Sequence, residues 1–168
     1  MTVRAPMQDE LPLLQAIGVA AGRRFAAVGL DEVAADPPPA LADLDRWRKA
    51  GRAWVTTDRD GHPVGFVVVD LVDEAAHVEE ISVLPDLGGR GHGMALMRHV
   101  EKWARAKGFM AVTLTTFSEV PWNRPWYERR GYRVLAEDEW TPGLAARRDE
   151  EAEHGLDPDQ RVVMAKGL

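Results

Sequence analysis

The sequence predicts an α/β domain of the α+β kind, a mixed and mostly antiparallel central sheet flanked by helices, and three observations carry that prediction. Two β-branched runs, AWVTTD (53–58) and VGFVVVDL (64–71), flank the turn Arg59-Asp60-Gly61-His62, which is a hairpin signal. A third run, HVEEISVL (77–84), follows at short range and extends the hairpin to an antiparallel meander. That third strand then opens through a glycine-rich stretch into a helix and a further strand, so strand, loop, helix and strand form a βαβ unit with its two outer strands parallel.

Along the chain, residues 9–27 place Leu13, Leu14, Ile17 and Ala21 at helical spacing, and a helix is expected there. The triple proline 37–39 breaks it, and a short helix is expected over Ala40–Lys49, ended by Gly51. After the three strands comes MALMRHVEKWARAK (94–107). Its stripe is Met97, Val100 and Ala104, widened by Met94, Leu96 and Trp103, with Glu101 four residues before Arg105 and Gly108 as the stop. AVTLTTF (111–117) returns as a strand. Thr141-Pro142 is a helix start, LAARRDEEAEH (144–154) has helical propensity, and RVVMA (161–165) is a last strand. The runs Arg147-Arg148 and Asp149-Glu150-Glu151 read as a solvated helix face.

Composition bounds the function. At 168 residues with 45% apolar content the chain can bury one core, so residues 1–168 are expected to form a single domain. With no cysteine, disulfides and thiolate chemistry are excluded. The net charge of −6 disfavours a nucleic-acid partner, whose phosphates call for a clustered basic face. No apolar run approaches the ~18 residues of a membrane span. Residues 1–14 lack the apolar core of a signal peptide, so a cytoplasmic protein with no membrane partner is expected.

Four glycines, Gly88, Gly89, Gly91 and Gly93, fall within six positions at the mouth of the 94–107 helix. The first turn of a helix carries amides with no partner in the chain and the positive end of the helix dipole, so an anion is the natural occupant. Glycines let the loop backbone approach a bulky phosphate closely. The dinucleotide fingerprint fails, because Met94 and Leu96 stand where its third glycine belongs. A Walker loop fails as well, because Met94 and Ala95 replace its Lys and Ser or Thr. What remains is a diphosphate held without metal and without a lysine, with a plain flexible turn into the helix as the alternative.

The stretch Val83-Leu84-Pro85-Asp86-Leu87-Gly88-Gly89-Arg90-Gly91-His92-Gly93-Met94-Ala95-Leu96-Met97 resembles the central motif of the GNAT superfamily of acyl-CoA-dependent N-acyltransferases. Downstream, Trp122-Asn123-Arg124-Pro125-Trp126-Tyr127-Glu128-Arg129-Arg130-Gly131-Tyr132 is similar to that superfamily's later motif, an aromatic-Tyr pair on a short helix leading into Gly-aromatic. The resemblance covers residues 52–135 well, the first fifty loosely, and the segment after Glu139 hardly at all. One position departs: Gly88 stands where the signature has Gln or Arg, so no side-chain phosphate contact is on offer there.

The resemblance implies a GNAT-like sheet with a V-shaped splay, acetyl-CoA as acyl donor, no metal, and direct transfer to a primary amine on a small molecule or peptide. It assigns the cofactor to the backbone of Ile81, Ser82 and Val83, the loop residues Gly88, Gly89, Arg90, Gly91, His92, Gly93 and Met94, and Asn123, which also stands where it would cap the short helix. Tyr127 takes the place of the general acid that protonates the departing thiolate. For the base, period-two alternation puts His77, Glu79, Ile81 and Val83 on one face and Glu80 and Ser82 on the other. Glu79 is the first choice and Glu80 the second, since the register of a splayed strand can shift by one. Asp70, Asp73 and Glu74 are candidates for steering a cationic amine. The insertion at 141–156 is expected either to cover the acceptor site or to pair with a second subunit as a homodimer. Two rival readings stay open: a non-catalytic acyl-CoA-binding regulatory module, and an interaction protein whose loop binds no CoA.

Overall fold

In the computed structural model, which describes residues 1–168, the β-branched runs pair as their pattern requires. Strands β2 (Ala53–Thr57) and β3 (Pro63–Val72) form the antiparallel hairpin, with Ala53 opposite Val68 and Thr56 opposite Gly65. Asp58 organises the turn, its Oδ1 accepting the amides of Asp60 and His62 at 2.9 Å each. β4 (Ala75–Val83) follows, then helix α4 (His92–Ala106), and β5 (Ala111–Phe117) completes the βαβ unit. With β1 (Val3–Arg4), β6 (Arg133–Val134) and β7 (Arg161–Gly167), the seven-stranded sheet has the order β1-β2-β3-β4-β5-β7-β6. The mixed, mostly antiparallel sheet flanked by helices is the fold class that the sequence predicts.

The chain divides into two compact units, residues 1–70 with 79–100 and residues 71–78 with 101–168. In the first, α1 (Leu11–Gly22) and α3 (Leu41–Lys49) bring Leu11, Leu14, Ile17, Leu44 and Trp47 together with Ala53, Val55, Phe66 and Val68 of β2 and β3. Trp47 satisfies its indole N–H on Asp70 at 2.7 Å. The helix expected over 9–27 is shorter: α1 stops at Gly22, and Arg23–Val28 tighten into 3-10 turns. Within residues 23–28 only Phe25 is half-buried, so no apolar face holds that segment in an α-helix. A one-turn helix α2 (Asp31–Ala34) and the two-residue β1 had no signal strong enough to be expected.

Gly65 controls how the end of β4 seats. A Cβ on it would lie 2.9 Å from Thr56 Cγ2 and 3.0 Å from the Ser82 carbonyl oxygen, so only glycine lets Ser82 and Val83 approach β3 this closely. The Leu84 amide then donates to the Val64 carbonyl at 2.9 Å.

In the second unit, the first half of β4 runs parallel to β5, from Ala75 opposite Ala111 to Val78 opposite Leu114. The register ends there, although β4 runs on to Val83 and β5 to Phe117. β5 pairs along its whole length with antiparallel β7, from Ala111 opposite Gly167 to Phe117 opposite Arg161. Helix α6 (Pro142–Glu153) seats Leu144 in a small core with Val72, Leu135 and Val163, and Thr141 caps it by accepting the Leu144 amide.

Along α4, Leu96, Met97, Val100 and Ala104 are buried as the stripe predicts. The helix starts at His92, inside the glycine stretch, rather than at Met94. Glu101 turns to partners distant in sequence: Lys166 Nζ lies 3.1 Å from both carboxylate oxygens, and the Tyr132 hydroxyl donates to Oε1 at 2.9 Å.

Candidate active site

The candidate residues fall into two sets, one in each unit. In the first, the chain leaves β4 through a tight turn in which Leu87 N donates to Leu84 O at 2.9 Å and Gly88 N to Pro85 O at 3.1 Å. The first helical bond after that is Ala95 N to Gly91 O, at 2.9 Å. Between the two, the amides of Gly89, Arg90, Gly91, His92, Gly93 and Met94 donate to no group in the chain. A run of unpaired N–H groups at a helix start is an anion-binding surface. Gly89 and Gly91 hold φ of +76° and +90°, which side-chain-bearing residues rarely adopt. A Cβ on Gly89 would meet nothing within 4 Å, and one on Gly91 only the Met1 methyl at 3.8 Å, so the backbone is open to a bulky ligand.

Gly88 differs. Its φ of −59° suits any residue, but a Cβ there would sit 3.2 Å from the Pro85 carbonyl oxygen, which crowds any side chain at that position. Arg90 is exposed, whereas His92 is buried with Nδ1 2.9 Å from the Thr56 hydroxyl. Burial, and after it the charges of the Met1 amino group and Arg90, push the His92 imidazole below its ordinary pKa and favour its neutral form. The His92 side chain ties the loop to β2, while its amide belongs to the open row.

On β4 the glutamates separate. Glu79 is exposed, and Glu80 is half-buried, accepting from Ser82 Oγ at 3.0 Å. Desolvation raises the Glu80 carboxyl above the usual carboxylate range, against the opposing effect of the Ser82 hydrogen bond. Helix α1 comes close at this point: a Cβ on Gly18 would lie 3.2 Å from Glu80 Oε1. His77, expected on the Glu79 face, is buried and bonds Thr113 Oγ1 through Nδ1 at 2.8 Å. The strand environment changes between them because His77 lies within the parallel register and Glu79 lies past its end.

In the second unit, α5 (Arg124–Glu128) presents the later motif. Asn123 is at its N-cap position but makes no side-chain cap, which corrects the expectation. Its Oδ1 turns back to β5 instead, accepting from Thr116 Oγ1 at 2.7 Å and from the Phe117 amide at 3.3 Å. This fixes the start of α5 against the end of β5. Tyr127 is buried, with its ring edge-on to Trp126 and Tyr132 at centroid distances of 5.0 and 5.7 Å. Its hydroxyl makes no hydrogen bond within the chain. Burial raises its pKa, partly offset by the Arg161 and Arg130 guanidiniums, so the phenol keeps its proton and remains a donor.

Asp70 accepts from Trp47, with Arg52 at 3.7 Å, and the exposed Asp73 accepts the Gly143 amide at 3.0 Å. One expectation about a charged residue is corrected. Glu151, read as part of a solvated helix face, is instead paired with Arg161 Nη2 at 2.8 Å and accepts from Thr115. Sequence reading missed Arg161 altogether, since the first residue of RVVMA carried only a strand signal; Thr56 likewise gave no sign that it would hold His92.

Residues 24–132 match the Acetyltransferase (GNAT) family. The chain belongs to that family. Solved structures agree in fold. A GNAT-family acetyltransferase from Staphylococcus aureus superposes with a TM-score of 0.76 at 12% identity, over 99% of this chain and 98% of that one. The ribosomal-protein-S18-alanine N-acetyltransferase of Escherichia coli gives 0.68 at 16% identity, over 99% and 93%. The N-acetylglutamate synthase of Neisseria gonorrhoeae, complexed with coenzyme A and N-acetyl-glutamate, gives 0.73 at 17% identity; 99% of this chain matches 35% of that longer one. As a GNAT acetyltransferase, the chain carries both motifs, the glycine loop and the aromatic-Tyr helix, on the elements where the sequence predicts them.

Proposed function

We propose that the protein transfers an acetyl group from acetyl-CoA directly to an amine, with Glu80 as base and Tyr127 as acid. The observation that carries this reading is the row of six unpaired amides from Gly89 to Met94, on a glycine-rich backbone with open space around Gly89. A pyrophosphate fits it, since those amides supply several neutral donors to one diphosphate and need neither metal nor lysine. Coenzyme A bound to a structure of like fold supports the same reading.

Acetyl-CoA supplies the thioester carbon that the amine attacks and the thiolate that leaves. The chain supplies the proton traffic. At neutral pH an alkyl amine is protonated, and Glu80, with its pKa raised by burial, is a stronger base than an ordinary carboxylate, suited to taking that proton directly or through water. Tyr127, protonated and without an internal partner, gives its hydroxyl proton to the sulfur as the C–S bond breaks. Backbone groups of Ile81, Ser82 and Val83, on the stretch of β4 past the parallel register, hold the pantetheine chain. Glu79, exposed, is the weaker candidate for the base.

The test is thiol release from acetyl-CoA across a panel of amines, amino acids, peptides and aminoglycosides. Glu80→Gln and Tyr127→Phe each lower the rate by about 10²- to 10⁴-fold while acetyl-CoA affinity, measured by calorimetry, is retained. Loss of acetyl-CoA binding in the wild type would sink the proposal. Equal rates in wild type and both variants would leave acetyl-CoA binding and remove the assigned chemistry.

A further inference from the structure

The second unit half-buries an ion pair that acetyl transfer does not explain. Arg161 opens β7 opposite Phe117, the last residue of β5, and its guanidinium lies 4.7 Å from the Phe117 ring centroid. Its Nη2 donates to Glu151 Oε1 at 2.8 Å and to Thr115 Oγ1 at 3.0 Å, and Thr115 in turn donates to the same glutamate oxygen. Arg161 is 11% exposed and Glu151 22%. Two sealed atoms of this pair have no partner: Arg161 Nε and Glu151 Oε2.

Those two orphans belong to one geometry. A guanidinium grips a carboxylate best side-on, with Nε and Nη2 each giving one N–H to one oxygen. Glu151 makes half of that contact, through one oxygen on Nη2, and leaves the other half of both groups unused. A purely structural pair in a dry setting would close the second bond, since an unmet buried N–H or carboxylate oxygen is costly. Glu151 stands on α6, in the insertion between β6 and β7, whereas Arg161 and Thr115 stand on paired strands of the sheet. The guanidinium is therefore the fixed partner and the glutamate the exchangeable one.

Resting on the acetyltransferase reading, we propose that Arg161 is the carboxylate-binding residue of the acceptor site, that the acceptor is an amine carrying a carboxylate, and that Glu151 half-occupies the guanidinium until the acceptor replaces it. The placement suits this. Arg161 is at the same end of β5 as Asn123, whose Oδ1 fixes Thr116 and Phe117, and its charge reaches the Tyr127 phenol. An acceptor held there by its carboxylate keeps its amine within the compass of the acid that serves the reaction. No covalent step is added: the exchange trades one carboxylate for another on the same cation.

The experiment compares amino acids, ω-amino acids and dipeptides, each against its own C-terminal amide, in the thiol-release assay. An α-amide has the less basic amine and so more free base at neutral pH, which by itself favours the amide. The expected wild-type result is the reverse, kcat/KM higher for the acid by about 10- to 100-fold. Arg161→Gln brings the preference to within about twofold, and Glu151→Gln, which frees the guanidinium, lowers KM for the acids by about 3- to 10-fold. Arg161→Gln leaves the half-buried Glu151 without its cation, so the double variant Arg161→Gln with Glu151→Gln, checked by melting temperature, must lose the preference too. Amides used as well as acids by the wild type, a preference that survives Arg161→Gln, or a raised KM in Glu151→Gln would each overturn the assignment and leave acetyl transfer standing. Thiol release with neither series would overturn both.

Discussion

Glu80 and Glu79 are adjacent in the chain and differ in their access to water. Glu79 is exposed, while Glu80 loses part of its solvation between β4 and α1 and is favoured in its neutral form. A base works when ionised, so kcat/KM rises as Glu80 loses its proton, and the acid limb of the pH profile lies above the ordinary glutamate value of about 4.3. Ser82→Ala removes the hydrogen bond that favours the charged form, and the limb moves further up. Stability carries the opposite sign. Because the folded-state pKa is raised, the neutral carboxyl's contribution is complete below the unfolded value and is lost as pH rises through the folded one. Across that window the melting temperature of the wild type therefore falls relative to Glu80→Gln. Parallel melting curves for the two proteins, or an acid limb in the ordinary carboxylate range, would reject the buried-base assignment.

Among the elements, the glycine loop shows that neighbouring glycines are glycine for different reasons. Gly89→Ala forces a side chain into φ of +76°, which costs about 1–2 kcal/mol and is relieved only by a shift of the loop backbone, so CoA affinity falls by about tenfold or more. Gly88→Ala keeps an allowed φ and asks only that the Pro85 carbonyl yield slightly from 3.2 Å, so affinity changes by less than about threefold. Calorimetry on the two variants decides it, and equal losses would mean that the cradle does not depend on loop geometry. The same contrast explains what the sequence made legible. The hairpin, the β4 to β5 crossover and the α4 stripe announce themselves by local period and turn chemistry, and the Tyr127 helix only through its resemblance to the superfamily's later motif. Glu101 with Lys166, Glu151 with Arg161, and Asn123 turned back on Thr116 depend on partners brought together by folding, and a helical charge pattern cannot distinguish a solvated glutamate from one that meets a distant arginine. Register at the end of β4 was uncertain for a related reason, because past Val78 no neighbouring strand on the β5 side fixes which glutamate is covered.

For the molecule as a whole, the charge balance constrains how a polyanionic donor is held. The chain has a net charge of −6, so its long-range field opposes the approach of CoA. The attraction must then come from short range, from the neutral amides of Gly89 to Met94 and the positive end of α4, with no side chain at Gly88 to add a cation. Such a cradle responds to salt differently from a basic patch. Added ions screen the overall repulsion over a Debye length of about 10 Å at 0.1 M, while short, directed amide contacts are little affected. CoA affinity is therefore expected to stay level or rise between about 0.05 and 0.5 M NaCl, where a site built on several lysines or arginines would weaken by tenfold or more. The exposed Arg90 is the one cation in the loop itself, and Arg90→Ala separates its share. If the amides carry the binding, the variant loses little affinity and keeps the same flat salt dependence. A steep decline with salt in the wild type, abolished by Arg90→Ala, would show that the side chain and not the backbone holds the diphosphate.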